Sequence, residues 1–155
     1  MIKILRVDER LLHGQVAVTW TNSVGCDCIL VAADNLDPIV QTTIKLSKPA
    51  GVKLVMKTID ESIEAINNGR TDKYELFILV ESVTDAYRLA RGCEQIKEIN
   101  IGRTKKLPGT ESLNKETHVT TDEKEMLRKL IKDGYNIILQ MIPSSKAISA
   151  TSVIK

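Results

Sequence analysis

The sequence predicts an open, mainly parallel α/β sheet, doubly wound, with helices on both faces and residues 1–155 in one domain. Three features carry that expectation. Strand-like and helix-like stretches alternate along the whole chain, the pattern of repeated strand–helix units. The strongest strand-like stretches, 28–33 (Cys-Ile-Leu-Val-Ala-Ala) and 74–80 (Tyr-Glu-Leu-Phe-Ile-Leu-Val), are nearly continuous apolar runs, as in strands covered on both faces. Connections of about two to six residues leave no room for an interdomain linker.

The elements follow in order. Ile2–Val7 is a short apolar run containing Lys3 and Arg6, a buried strand with some exposure. Gly14–Val24 carries Val16, Ala17, Trp20 and Val24 on one helical stripe that stops before Gly25. After the strand at 28–33, Asp37-Pro38 supplies an N-cap with proline at the first helical position. Ile39, Val40, Thr43, Ile44 and Ser47 keep helical spacing until Pro49-Ala50-Gly51. A strand over 52–57 leads to Thr58 and Glu61, a capping-box pair, and then to Ile59, Ile63 and Ile66 on one face before Asn67-Asn68-Gly69. The strand at 74–80 is followed by Val83, Ala86, Tyr87 and Ala90 at helical spacing, ending near Gly92, and by a short strand over 98–102. The stretch 105–117 is polar, contains Pro108-Gly109 and has no period, so it reads as a loop or irregular hairpin. Thr120 and Glu123 form a second capping box ahead of a charged helix with Met126, Leu127, Leu130 and Ile131 inward; Gly134 ends it. A last strand spans 136–142, and the small-residue tail from Pro143 reads equally as a short helix or a frayed end.

Composition narrows the chemistry. With 22 basic against 20 acidic side chains and 3% aromatics, the chain lacks both the bulk charge and the stacking platforms of nucleic-acid binders. Cys26, Cys28 and Cys93 have neither the spacing of redox or zinc motifs nor a histidine at ligand distance, and read as small core side chains. No metal or cofactor is implied. The N-terminus has charges inside its apolar run and is not a signal peptide, and no stretch reaches the roughly 20 apolar residues of a membrane span. A cytoplasmic chain is expected. No dinucleotide fingerprint, Walker sequence, nucleophile elbow or zinc-protease motif is present.

What remains is the turn after the first strand, Asp8-Glu9-Arg10-Leu11-Leu12-His13-Gly14-Gln15, at the edge where open α/β sheets bind ligands. A histidine that takes up a phosphoryl group must meet a donor and be surrounded by groups that hold the transferred oxygens. Arg10 offers a charge-assisted fork. Gly14 and Gln15 open a helix whose free N–H groups favour an anion, and Gly14 admits close backbone approach. Asp8 is placed to orient Arg10 or the ring. Against this stands the plain alternative of a polar helix-end histidine beside a solvated arginine. His118, the other histidine, reads as exposed or on an edge strand; Arg103, Lys105 and Lys106 form the only local basic cluster, suited at most to docking an acidic partner. Ser82 could contact phosphate but reads better as a helix cap.

The block from Arg6 through Asp8, Arg10, His13, Gly14, Gln15 and Val16, with Trp20 beyond it, closely resembles the opening of the IIB components of the mannose/fructose/sorbose family of bacterial sugar phosphotransferase systems. The resemblance continues at Asn100-Ile101-Gly102, Val119-Thr120-Thr121-Asp122-Glu123 and Ile142-Pro143, and so spans essentially the whole chain. It implies an open, mainly parallel α/β fold and a phosphocarrier, a component of a protein-N(pi)-phosphohistidine–sugar phosphotransferase. By match, His13 receives a phosphoryl group from a IIA phosphohistidine and passes it to a hexose-type sugar held by membrane IIC and IID components. Arg10 contacts the group and Asp8 orders the loop. The protein is then cytoplasmic and peripherally associated with its transporter, and, with no IIA segment before Met1, its donor is expected to be a separate chain. Arg103 stands where many members carry a second glycine, a departure that bears on the loop after the fifth strand. Two other functions compete: a phosphohistidine-type phosphatase or mutase, which lacks here an arginine adjacent to His13 and an obvious second histidine, and a non-catalytic regulatory module on the same fold.

Overall fold

The structure, a computed structural model, describes residues 1–154. Strands Ile2–Val7 (β1), Cys28–Ala32 (β2), Lys53–Lys57 (β3), Leu76–Val80 (β4), Glu98–Ile101 (β5) and Asn136–Leu139 (β8) are parallel, and Ile148–Ser149 (β9) closes one edge antiparallel to β8. The sheet order is β3-β2-β4-β1-β5-β8-β9. Helices Gly14–Val24 (α1) and Pro38–Leu46 (α2) cover one face, and Ile59–Asn67 (α3), Val83–Gly92 (α4) and Thr121–Lys132 (α5) cover the other. The expected α/β fold is present.

The two faces follow from strand parity. Along β2 and β4, Ile29, Val31, Phe77 and Leu79 pack with Ala17, Trp20 and Ile44 of α1 and α2. Their neighbours Leu30, Ala32, Ile78 and Val80 pack with Ile59, Ile66, Val83, Ala86, Leu89, Leu127 and Leu130 of α3, α4 and α5. Both capping boxes form: Thr58 and Thr120 accept from the N–H groups of Glu61 and Glu123, whose carboxylates accept back from the cap residues. Asp37 caps α2 ahead of Pro38.

Several boundaries are shorter than the apolar runs. The last strand stops at Leu139 because its neighbour β5 stops at Ile101; Gln140 N–H donates to the Ile101 carbonyl as a final rung, and the chain then turns. The irregular stretch holds a two-residue antiparallel pair, Glu111–Ser112 (β6) with His118–Val119 (β7). Of the two readings of the tail, the described residues bear out the short helix, though it is a single turn. After β9 it makes one 3-10 turn, Ala150–Ser152, and buries Ala150 and Ile154 in the core. Arg6 departs furthest from expectation. It is 1% exposed, on the face of β1 that meets Trp20.

This topology sets the site. Val80, Val7, Ile101 and Leu139 are in register across β4, β1, β5 and β8. The four strands therefore end on one line, and the segments that follow them emerge side by side. Gly102 lets them approach: a Cβ there would overlap the Arg6 guanidinium, leaving no space for any side chain. Cys28 and Cys93 are buried core residues and Cys26 is half-buried; with no opposite charge beside it, burial pushes the Cys93 thiol up to about 11.

Gly102→Ala is expected to cost about 1–3 kcal/mol in urea unfolding, since its methyl displaces a fully buried guanidinium; a stability within error of wild type would contradict the packing. Alkylation of the native protein at mildly alkaline pH should modify Cys26 first and leave Cys93 intact until the protein unfolds. Prompt labelling of Cys93 would show that the α4 end is open.

Candidate functional site

The turn after β1 is wound by its own side chains. Asp8 N–H donates to the Val80 carbonyl at 2.9 Å, which continues the β1–β4 ladder by one rung. The Asp8 carboxylate then accepts from the Arg10 backbone N–H at 2.9 Å, and the Asp8 carbonyl accepts from Leu11 N–H at 2.9 Å. These bonds drive Leu11 to a φ of 56°, a left-handed conformation that non-glycine residues rarely hold. Burial of Leu11 and Leu12 in the core offsets that strain. His13, next in the chain, is left at the surface edge of this pinned turn.

Asp8 is 1% exposed, and its carboxylate also receives the Arg10 guanidinium, Nε to Oδ1 at 3.3 Å and Nη2 to Oδ2 at 3.4 Å. Of the two orientations open from sequence, the structure has Asp8 on Arg10 and not on the ring. The Arg10 side chain is 32% exposed and can leave this contact. His13 Nδ1 lies 3.1 Å from the Leu11 carbonyl. A carbonyl only accepts, so Nδ1 carries a proton toward it, and Nε2 is buried without a partner. His13 is also the N-cap of α1, with extended backbone and no side-chain cap. Gly14, at a φ of 44°, and Gln15 are exposed at the helix start, where the first-turn N–H groups have no capping side chain.

The neighbouring segments add the rest. Glu9 N–H donates to the Arg103 carbonyl at 2.8 Å, and the Arg103 side chain pairs with Glu9 at 3.8 Å. Arg103 therefore ties the loop after β5 to the His13 turn. Arg103, Lys105 and Lys106 are joined by Lys115 around a cleft of about 560 Å³ that also takes in Glu9 and His118. Ser82 Oγ accepts from Asp85 N–H at 3.1 Å and caps α4. It lines a smaller cleft with Glu81, Thr104, Lys105, His118 and Glu123, which does not include His13. His118 is 9% exposed rather than open: its N–H donates to Thr104 Oγ1, and Nδ1 meets Ser112 Oγ at 2.8 Å. Among the described residues no three His, Cys, Asp or Glu side chains converge as metal ligands.

Sequence reasoning placed Arg6 and Asn100 in the stretches of family resemblance but gave neither of them, nor Gln140, a role. Arg6 Nη1 donates to Asn100 Oδ1 and to the Gln140 carbonyl, at 2.5 and 2.8 Å, and Nη2 to the Met141 carbonyl at 2.8 Å. Its guanidinium stacks over Trp20, 4.2 Å from the ring centre, while Trp20 Nε1 donates to the same Met141 carbonyl. The signal was present: a charge at the penultimate position of an apolar strand, with two amide side chains at the ends of later strands.

With this geometry in hand, comparison with known proteins gives a consistent result. The family described as the sorbose-subfamily IIB component of the phosphotransferase system matches residues 2–155. A probable phosphotransferase enzyme IIB component of Streptococcus pyogenes is 32% identical over 165 residues, covering 99% of each chain. The mannose-specific EIIAB component of Escherichia coli is 26% identical over 156 residues, 99% of this chain and 48% of its own length. The crystal structure of the IIB domain of the Klebsiella pneumoniae sorbose permease superposes with a TM-score of 0.93 at 24% identity, over 99% of this chain and 96% of that one.

Ser82→Ala should lower stability by about 1 kcal/mol in thermal or urea unfolding, the usual loss for an N-cap. No loss would mean that the hydroxyl is not committed to α4.

Proposed function

The chain belongs to the sorbose subfamily of phosphotransferase-system IIB components, and we propose that it serves there as the phosphocarrier: His13 accepts a phosphoryl group from a IIA phosphohistidine and passes it to a sugar held by membrane IIC and IID components. The observation that carries this reading is the convergence at one sheet edge of an imidazole, a movable guanidinium and an uncapped helix start. An incoming phosphoryl group brings negative charge, and each of these groups favours it.

The chemistry is an exchange of one P–N bond for another. The lone pair of neutral His13 attacks phosphorus as the donor imidazole leaves with its own pair, so little covalent work falls to the protein beyond alignment and charge. In the structure neither ring nitrogen faces outward unencumbered, since Nδ1 is bonded to Leu11 and Nε2 is buried. Transfer therefore begins with the ring turning out of the turn, at the expense of one hydrogen bond of about 1 kcal/mol. Arg10 and the N–H groups of Gly14 and Gln15 then take the equatorial oxygens, with Asp8 keeping the turn wound. In the second step the sugar hydroxyl attacks phosphorus, its proton is lost, and His13 recovers its lone pair.

The partners follow from the same geometry. The name of the Escherichia coli relative, EIIAB, and its twofold length support a IIA donor that meets this domain directly. The cationic rim of Arg103, Lys105, Lys106 and Lys115 suits an acidic face on that donor. No helix among the described residues is long and apolar enough to cross a membrane; in this proposal the contact with the transporter is peripheral. Ser82, which caps α4 and lines a cleft that does not include His13, is given no part in this scheme.

Incubation with a phosphorylated IIA donor should label wild-type protein and His118→Ala, and should leave His13→Ala unlabelled. Labelling of His13→Ala would overturn the assignment.

A further inference from the structure

Arg6 and Arg10 share one carboxylate. Asp8, with its side chain 2% exposed, lies 4.0 Å from Arg6 Nη2 on one side and 3.3 Å from Arg10 Nε on the other. The two cations are held differently. Arg6 is immobile: three hydrogen bonds of 2.5–2.8 Å go to Asn100 and to the carbonyls of Gln140 and Met141, and the Trp20 ring closes its face. Arg10 is partly in solvent, and both its side-chain contacts to Asp8 are long. Every hydrogen-bond acceptor of Arg6 is neutral, so Asp8 supplies the only charge opposing it among the described ion pairs.

We propose that Arg6 is a positioning residue: it is the fixed counter-charge of Asp8, and it thereby leaves Arg10 free to move from Asp8 to the phosphoryl group. The inference rests on the reading of His13 as phosphoryl acceptor. Its reason is electrostatic. A buried carboxylate with a single cation cannot release that cation without being stranded in a medium that solvates it poorly. If Arg10 were that single cation, each transfer would have to overcome the stranding of Asp8. With Arg6 in place the carboxylate keeps a partner throughout, and repulsion between the two guanidinia favours departure of the exposed one. Burial lowers the Arg6 guanidinium to about 10, still charged at neutral pH. Gly102 protects this arrangement, because any side chain there would push Arg6 from its place.

Three variants test it: Arg6→Gln, Arg6→Lys, and Arg6→Gln combined with Asp8→Asn, in which Asn Oδ1 still accepts from Arg10 N–H. Phosphoryl uptake from the IIA donor is measured below the unfolding temperature of each, and hydrogen exchange of Arg10 Nε–H is followed by NMR. Arg6→Gln should lower kcat at least about tenfold with KM for the donor unchanged, the mark of an interaction made in the transition state. Its Arg10 Nε–H should exchange more slowly as Arg10 is clamped to Asp8. Arg6→Lys, which keeps the charge, should recover kcat to within about threefold of wild type, and the double variant, which removes the need for that charge, should be at least about threefold faster than Arg6→Gln. A double variant as slow as Arg6→Gln, or a lysine variant as slow, would make Arg6 a structural brace and overturn the proposal. If Arg6→Gln does not fold, Arg6→Lys decides: kcat within about threefold of wild type supports the proposal and a larger loss overturns it. Wild-type protein that takes up no phosphoryl group at His13 would overturn the functional reading instead, and the exchange of Arg10 would still decide whether Arg6 frees it.

Discussion

The structure depends on a guanidinium buried where an apolar side chain would be expected. Arg6 sits at the end of β1 with almost no exposure, and desolvating such a cation costs several kcal/mol unless its donors are met. The fold meets them from three directions, with Asn100 on β5, the carbonyls of Gln140 and Met141 after β8, and the Trp20 face on α1. These partners are far apart in sequence and are brought together only by the parallel register. The arginine thus ties the chain's first strand to the segment between β8 and β9, and it sits beside Asp8, on which the His13 turn is wound.

The same constraint explains why the two faces of the sheet differ. Three helices cover one face with aliphatic packing from β2 across to β8, whereas on the other face the aliphatic packing of α1 and α2 lies mainly over β2 and β4, with Trp20 reaching Arg6 on β1. Over the remaining half the sheet presents Arg6, Asn100 and Gln140, and the segment after β8 folds down on them with Gln140 Nε2 donating to the Pro143 and Ser145 carbonyls. A polar network in place of a third helix leaves the carboxyl edge open above it, which is where His13 emerges. The functional edge is therefore a consequence of how the uncovered half of the sheet is closed.

Much of this was legible in the sequence, for physical reasons that can be named. Parallel strands buried on both faces leave runs such as Ile29 to Val31 and Phe77 to Val80, and capping boxes such as Thr58 with Glu61 mark helix starts unambiguously. Strand ends were read too long at Ile142 and Gly102 because hydropathy continues past the point where a neighbouring strand offers hydrogen bonds. The two-residue strands β6, β7 and β9 have no period to detect; they exist through tertiary pairing. At the site, His13, Arg10, Gly14 and Gln15 could be grouped because they are neighbours in one turn. The side to which Asp8 points stayed open because sequence spacing puts both Arg10 and His13 within its reach; the burial of Arg6 and the enclosure of His118 could not be read, the first because it is decided by residues about ninety or more positions away and the second by the packing of an irregular loop.

The proposed phosphoryl acceptor, the ring of His13, is held in a closed position in this structure. That role is tested most directly by phosphorylating the protein through its donor cascade and localising the acid-labile phosphate by mass spectrometry under alkaline conditions. A single phosphate on the peptide containing His13 is the expected result. Phosphate on His118, or a protein that stays unmodified while its donor is fully charged, would contradict it.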